Sequence, residues 1–251
     1  MLGAPGLDFE TWDAAELNRF RNSQEMWMKT PIVDLTFPHH WQAEILPARP
    51  LILPPRHFVY PLDAEEVERG ALEVLIRAVG RDFSPGVNQE KSIGALAPGA
   101  FASNLSTVVG FSPRAVPFLA TCALGFRDPA VPTGIWSCPN PDEICAASGG
   151  YTYIIDATAP DRFTMIPYRP VLEVRAIAGM GLLLFAGHHS ILAWGFNGHE
   201  WQSEKLSDEG VTIAVIEDAQ LQGHGWNMIA DKETPFTLDL HTGVRVPGLS
   251  R

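Results

Sequence analysis

From residue 118 onward, apolar and polar positions alternate in short runs separated by turn-forming residues. The runs 118–125, 151–157, 171–177, 181–186, 190–196, 211–217 and 235–240 are rich in β-branched and aromatic residues and read as strands. Asn197 and Gly198 sit between two of them, and both residue types tolerate positive φ, which marks a hairpin. Residues 179–201 therefore read as three antiparallel strands, with Gly187, His188 and His189 at the first turn. Adding 211–217 and a closing hairpin predicts sheets of about four strands each, the size of a propeller blade or a sandwich sheet.

Upstream, the pattern changes. Over 12–28 the apolar positions follow helical spacing, Asp13 and Glu16 suit a capping box, and Pro31 stops the run. The next stretch carries prolines at 31, 38, 47, 50, 54, 55 and 61. Proline donates nothing to a ladder, so edge strands or extended wrapping segments are expected there. Asp63 and Glu66 suggest a second capping box, with Leu62 and Val67 as its staple and Gly70 against a long helix. A short helical turn followed by a strand is the reading for 63–79. Residues 80–110, rich in Gly, Ser, Asn and Pro, read as a long loop. The expected organisation is an N-terminal helical arm over 1–30, proline-rich strands and loop over 31–110, and a β body over 111–251.

Within that body, Gly134, Trp136, Tyr153 and Asp156 find approximate counterparts in Gly225, Trp226, Phe236 and Asp239, which suggests one hairpin-like unit used twice. The stretches GIWSCPNPDEICAASGGYTYIID and GWNMIADKETPFTLDLHTG resemble a group of uncharacterised bacterial β-rich proteins that close on a G-W, D-x-E, P-F-x-L-D-L-x-T-G arrangement. The resemblance covers roughly the last half of the chain. It implies a stable β architecture and brings no activity with it. The expected fold is mainly β: two blade-like antiparallel sheets packed together, β-propeller-like or sandwich, with an N-terminal helix and proline-rich wrapping segments.

Composition supports this picture and narrows the partners. Hydrophobic residues make up 46% of the 251 positions and charged ones 19%, enough to build a core without staples. Twenty-one prolines and 22 glycines disfavour long helices. The net charge of -11, with its basic residues scattered, argues against nucleic acid and against an anionic membrane surface. No apolar run is long enough to span a bilayer, and MLGAPGLDFETWD lacks a basic region followed by an apolar one, so a cytoplasmic protein is expected. Cys122, Cys138 and Cys145 are too few for a disulfide framework. Cys138 and Cys145 flank PNPDEI and could face each other across a hairpin, although buried thiols are the ordinary reading.

Candidate chemistry is sparse. His39-His40 and His188-His189 are adjacent pairs, and neighbours on a strand point to opposite faces. A metal site joining His188 or His189 to His199 or His224 would need tertiary convergence, so no metal and no cofactor are expected. Trp194, Trp201 and Trp226, with Trp136, Tyr151 and Tyr153, could line a cleft for a sugar or flat ligand, or simply pack in the core. The acid pairs Asp231 with Glu233 and Asp208 with Glu209 fall in turn-like stretches, where solvated carboxylates are usual. The glycine clusters at 148–150 and 179–181 open no helix, and no nucleophile elbow exists. The expectation is a non-enzymatic protein that binds another protein. A small-ligand binder at His188, His189, Trp194, Trp201, His224 and Trp226 is the alternative, and a hydrolase or metal enzyme using the His-rich turns the third.

Overall fold

The structure, a computed structural model, describes residues 30–62, 70–79 and 116–246. The expected N-terminal helix over 12–28, the capping box at 63 and 66 and the loop over 80–110 lie outside the described residues. Those that are described form strands joined by turns, with one 3-10 turn at Ala178–Met180. In chain order the strands are β1 (Ile32–Asp34), β2 (Trp41–Leu46), β3 (His57–Tyr60), β4 (Leu72–Ala78), β5 (Phe118–Cys122), β6 (Gly134–Ser137), β7 (Glu143–Ser148) and β8 (Tyr151–Asp156). They continue as β9 (Phe163–Met165), β10 (Glu173–Ile177), β11 (Leu182–Ala186), β12 (Ile191–Gly195), β13 (Gly198–Gln202), β14 (Val211–Glu217), β15 (Gln220–Asn227) and β16 (Lys232–Asp239).

These strands pair into four open sheets: β2-β4-β5-β3, β1-β6-β7-β8-β9, β10-β11-β12-β13 and β14-β15-β16. We number them first to fourth in that order, which is also their order in space. Trp41, Tyr60, Val74, Ile76 and Phe118 of the first sheet pack on Ile135, Ile144, Tyr153 and Ile155 of the second. The opposite face of the second sheet, with Trp136, Cys145 and Ile154, meets Leu183, Phe185, Leu192 and Trp194 of the third. The far side of the third sheet, through Leu184, Ile191 and Trp201, packs on Val211, Ile213, Leu221, Phe236 and Leu238 of the fourth. Two sheets were expected; four stand face to face in series.

Sequence pattern explains the order. LLLFA of β11 and ILAWG of β12 are buried at every position, as strands sandwiched on both faces must be. At the outer end, β15 alternates exposed and buried residues, because only one of its faces meets a core. Fully burying a Leu, Ile or Phe contributes about 1.5–3 kcal/mol, so each run settles where its apolar faces are covered.

The three strands of the proline-rich segment, β1, β2 and β3, all lie on sheet edges; they contain no proline themselves, and the prolines fall in the connections that flank them. β1 joins the second sheet through a parallel pairing with β6, Ile32 opposite Gly134. The two halves of the suggested repeat are built differently. In the first, the whole of β7 lies between the strand of Trp136 and that of Tyr153, whereas in the second Trp226 and Phe236 lie on the directly paired strands β15 and β16. What they share is the final aspartate: Asp156 Oδ1 accepts from the Thr158 and Ala159 amides, and Asp239 Oδ1 accepts from the His241 and Thr242 amides. Each closes its strand with the same side-chain turn.

Candidate functional site

Where the third and fourth sheets meet, their edges leave a cleft of about 450 Å³. Leu172 and Glu173 at the start of β10 form one side, and Glu209 to Thr212 at the entry to β14 form another. His224 and Trp226 of β15, Glu233 of β16 and Ala130 complete the lining. The register accounts for the floor: Thr212 lies opposite His224, and Trp226 opposite Glu233, all on the face of the fourth sheet turned away from the core. On the core face of the same strand, an added Cβ would come within 2.3 Å of Thr212 O at Gly223 and within 2.3 Å of Leu206 O at Gly225. Gly225 thus allows the 206–211 segment to lie directly on β15, and Gly223 leaves room for β14 and the Phe236 ring.

That segment holds Trp226 from its second side. Ser207 is buried; its Oγ accepts from the Trp226 amide at 2.8 Å and from the Glu209 amide at 3.1 Å, and its hydroxyl donates to Trp226 O at 3.3 Å. The Asp208 amide also donates to Trp226 O at 2.8 Å. Asp208 in turn accepts from the Met228 amide at 2.8 Å and pairs with Lys205 at 2.6 Å. The Lys205 ammonium, helped by the Met228 N–H, holds the Asp208 carboxyl below its ordinary range. Trp226 is therefore a half-buried ring on a backbone fixed from both sides, with Glu173, Glu209 and Glu233 around it. Glu173 is ion-paired with Arg175, and among the described residues neither lysine nor arginine lines the cleft.

The residues singled out from the sequence go to different places. His224 and Trp226 come together in the cleft. Trp194, at 7% exposure, points between the second and third sheets, where its Nε1–H donates to Glu143 Oε2 at 3.0 Å. Trp201, at 8%, points between the third and fourth, and its Nε1–H donates to Leu240 O at 2.8 Å. Both are core residues with satisfied indoles, so neither is open to a ligand. His188 and His189 are exposed on the β11–β12 turn, their ring centres 6.3 Å apart. His189 Nδ1–H donates to Ser207 O at 3.0 Å, and the carbonyls of both histidines accept amides from 206–210, so this turn props the segment that holds Trp226. Among the described residues, no group of three or more His, Cys, Asp or Glu is arranged to hold a metal ion. Cys122, Cys138 and Cys145 are buried free thiols, and burial pushes all three up from their ordinary pKa.

A second polar cluster carried no sequence signal. Glu73 of β4, only 3% exposed, accepts from Arg49 Nε at 3.0 Å and from Thr121 Oγ1 of β5 at 2.5 Å. His57 Nε2 of β3 lies 2.9 Å from the same Thr121 Oγ1. Thr121 has one proton and gives it to the carboxylate, so His57 must donate through Nε2–H, leaving Nδ1 as its acceptor. The imidazole's pKa is lowered, first by burial and then by Arg49.

No family model, curated protein or solved structure matches the chain.

Proposed function

We propose that this protein is a non-catalytic binding protein whose cleft between the third and fourth sheets receives a cationic group. The observation that carries the reading is Trp226, a ring held on a doubly fixed backbone at the floor of a cleft whose charged lining, among the described residues, is carboxylate. An aromatic face attracts an ammonium or guanidinium, and carboxylates on several sides supply charge-assisted hydrogen bonds to it. A volume of about 450 Å³ suits a small ligand or one long side chain of a partner. The overall charge of -11 adds a long-range attraction for cations. With Trp194 and Trp201 in the core, the cleft has one tryptophan floor rather than an aromatic wall, which favours a charged head over a stacked sugar.

Calorimetric titration with N-acetyl-arginine amide, its neutral citrulline counterpart and a neutral disaccharide tests this. Saturable binding of the arginine probe is expected, weakened by salt and lost in Trp226→Ala. Equal binding of arginine and citrulline probes, preference for the disaccharide, or unchanged binding by the alanine variant would each overturn it.

A further inference from the structure

We infer that the cation received by the cleft is an aliphatic dication, an α,ω-diamine or a polyamine, with one ammonium on Glu209 and the other on Glu233. The inference rests on the cleft being a receptor for a cationic group, and it names the class of ligand. The carboxylates in and beside the cleft are not equivalent. Glu173 is ion-paired with Arg175, and Asp208 with Lys205. Glu209 and Glu233 are exposed, and among the described residues their carboxylates have neither a cation nor a hydrogen-bond donor as partner. These two are the acids left for a ligand.

They stand on opposite edges of β15. On one edge the Asp208 amide donates to Trp226 O at 2.8 Å, which sets the next residue, Glu209, beside that strand. On the other edge Glu233 of β16 lies directly opposite Trp226. Neighbouring strands run about 4.8 Å apart, so the backbones carrying Glu209 and Glu233 are about 10 Å apart with the indole between them. The surface between the two acids is apolar. Trp226 fills its middle, and Leu172 reaches over the turn that carries Glu209, its Cδ1 3.7 Å from where a Cβ on Gly210 would stand.

This spacing selects among cations. A guanidinium gathers its donors into one planar fork, which a single carboxylate satisfies. The second acid, on the far side of the ring, then keeps no partner. Two ammonium groups joined by a methylene chain answer both acids, and the chain lies along the ring as a lysine stem lies along apolar surface. Once the first ammonium is seated, the second is held close to its carboxylate, so the second contact adds to the first with little further loss of freedom. A cleft of about 450 Å³ has room for such a chain.

Isothermal titration of 1,5-diaminopentane, 5-amino-1-pentanol and N-acetyl-arginine amide into wild type, Glu209→Gln, Glu233→Gln and Glu217→Gln tests the inference. The amino alcohol matches the diamine in length and carries a hydroxyl in place of one ammonium. The diamine is expected to bind wild type about fivefold more tightly than the amino alcohol, the gain from one further exposed ion pair. In Glu209→Gln and in Glu233→Gln that ratio should fall to about twofold or less, which two equivalent ends give by counting alone. Glu217→Gln, at the far end of β14, changes the net charge equally and should leave the ratio as it is in wild type. All three replaced side chains are exposed, so melting curves close to wild type are expected and show that the variants fold. Equal binding of diamine and amino alcohol to wild type, or a ratio that neither cleft variant changes, would overturn the inference. Arginine-probe binding without preference for the diamine keeps the receptor reading and removes the dication, whereas no binding of any of the three probes removes both.

Discussion

Replacing Glu73 with Gln isolates the buried cluster that ties loop 47–56 to the first sheet. The side-chain volume is conserved, so the change is chemical. The native carboxylate accepts from Thr121 at 2.5 Å and from Arg49 at 3.0 Å. A glutamine amide can accept one of these donors while its NH2 group confronts the other. Losing a hydrogen bond to a charged acceptor costs about 1.5–3 kcal/mol, and Thr121 is fully buried, so water cannot replace the partner. The Arg49 side chain is 40% exposed and contributes less, because solvent screens its half of the pair. Together the loss is about 2–4 kcal/mol, which in a chain of this size lowers Tm by roughly 5–15 °C. Thermal unfolding followed by circular dichroism reads the shift. Thr121→Val should be destabilising too, and the double variant should cost less than the sum, since both remove the same bond. A Tm within about 2 °C of wild type for Glu73→Gln would refute the account of this cluster.

Three further outcomes follow from features already described. Glu143 is raised above its ordinary pKa, chiefly by burial, with the Trp194 hydrogen bond opposing. Folding therefore favours its protonated form, and stability is lost as pH rises from the unfolded value through the folded one. Glu143→Gln should gain Tm relative to wild type at pH 7, with the gain shrinking as pH falls towards 4.5; a pH-independent difference would contradict this. Cys122, Cys138 and Cys145 should be inert to Ellman's reagent in the native protein and react fully in denaturant, and a fast native reaction at any of them would contradict their burial. Gly225→Ala would place a Cβ 2.3 Å from Leu206 O, so β15 and the 206–211 segment must separate. Arginine-probe binding should weaken along with stability, and an unchanged melting curve would show that the contact yields without cost.

The strands after residue 118 were legible because their alternation or continuous apolar character is set locally. The number of sheets was not. LLLFA in β11 has no polar face to show which side meets which neighbour, and only the pairings reveal that both sides are covered. EICAAS in β7 carries no strand signal in the sequence, and of QLQGHGWN in β15 only the closing Gly225-Trp226 reads as strand, for opposite reasons. The first needs small residues to lie between two sheets, and the second needs glycines for close approach, so neither shows strong strand propensity. Trp194 and Trp201 illustrate the same limit, since both faces of the third sheet are core and alternation sends one ring to each. Glu209 and Glu233 were noticed as members of two separate acidic turns, but their meeting across the cleft depends on packing that spacing does not encode. The cluster of His57, Glu73 and Thr121 spans three strands with no fixed offset, which leaves no signature to read.

The path of the backbone through the second sheet bears on how the molecule is made. β1 precedes every strand of the first sheet, yet its partner β6 lies about a hundred residues downstream, with Ile32 opposite Gly134. On the ribosome β1, the first of the described strands, must wait with its ladder N–H and C=O groups unpaired until the far side of that ladder has been translated. Its docking beside Gly134 laces the outermost layer to the next, like a thread drawn back through cloth already sewn.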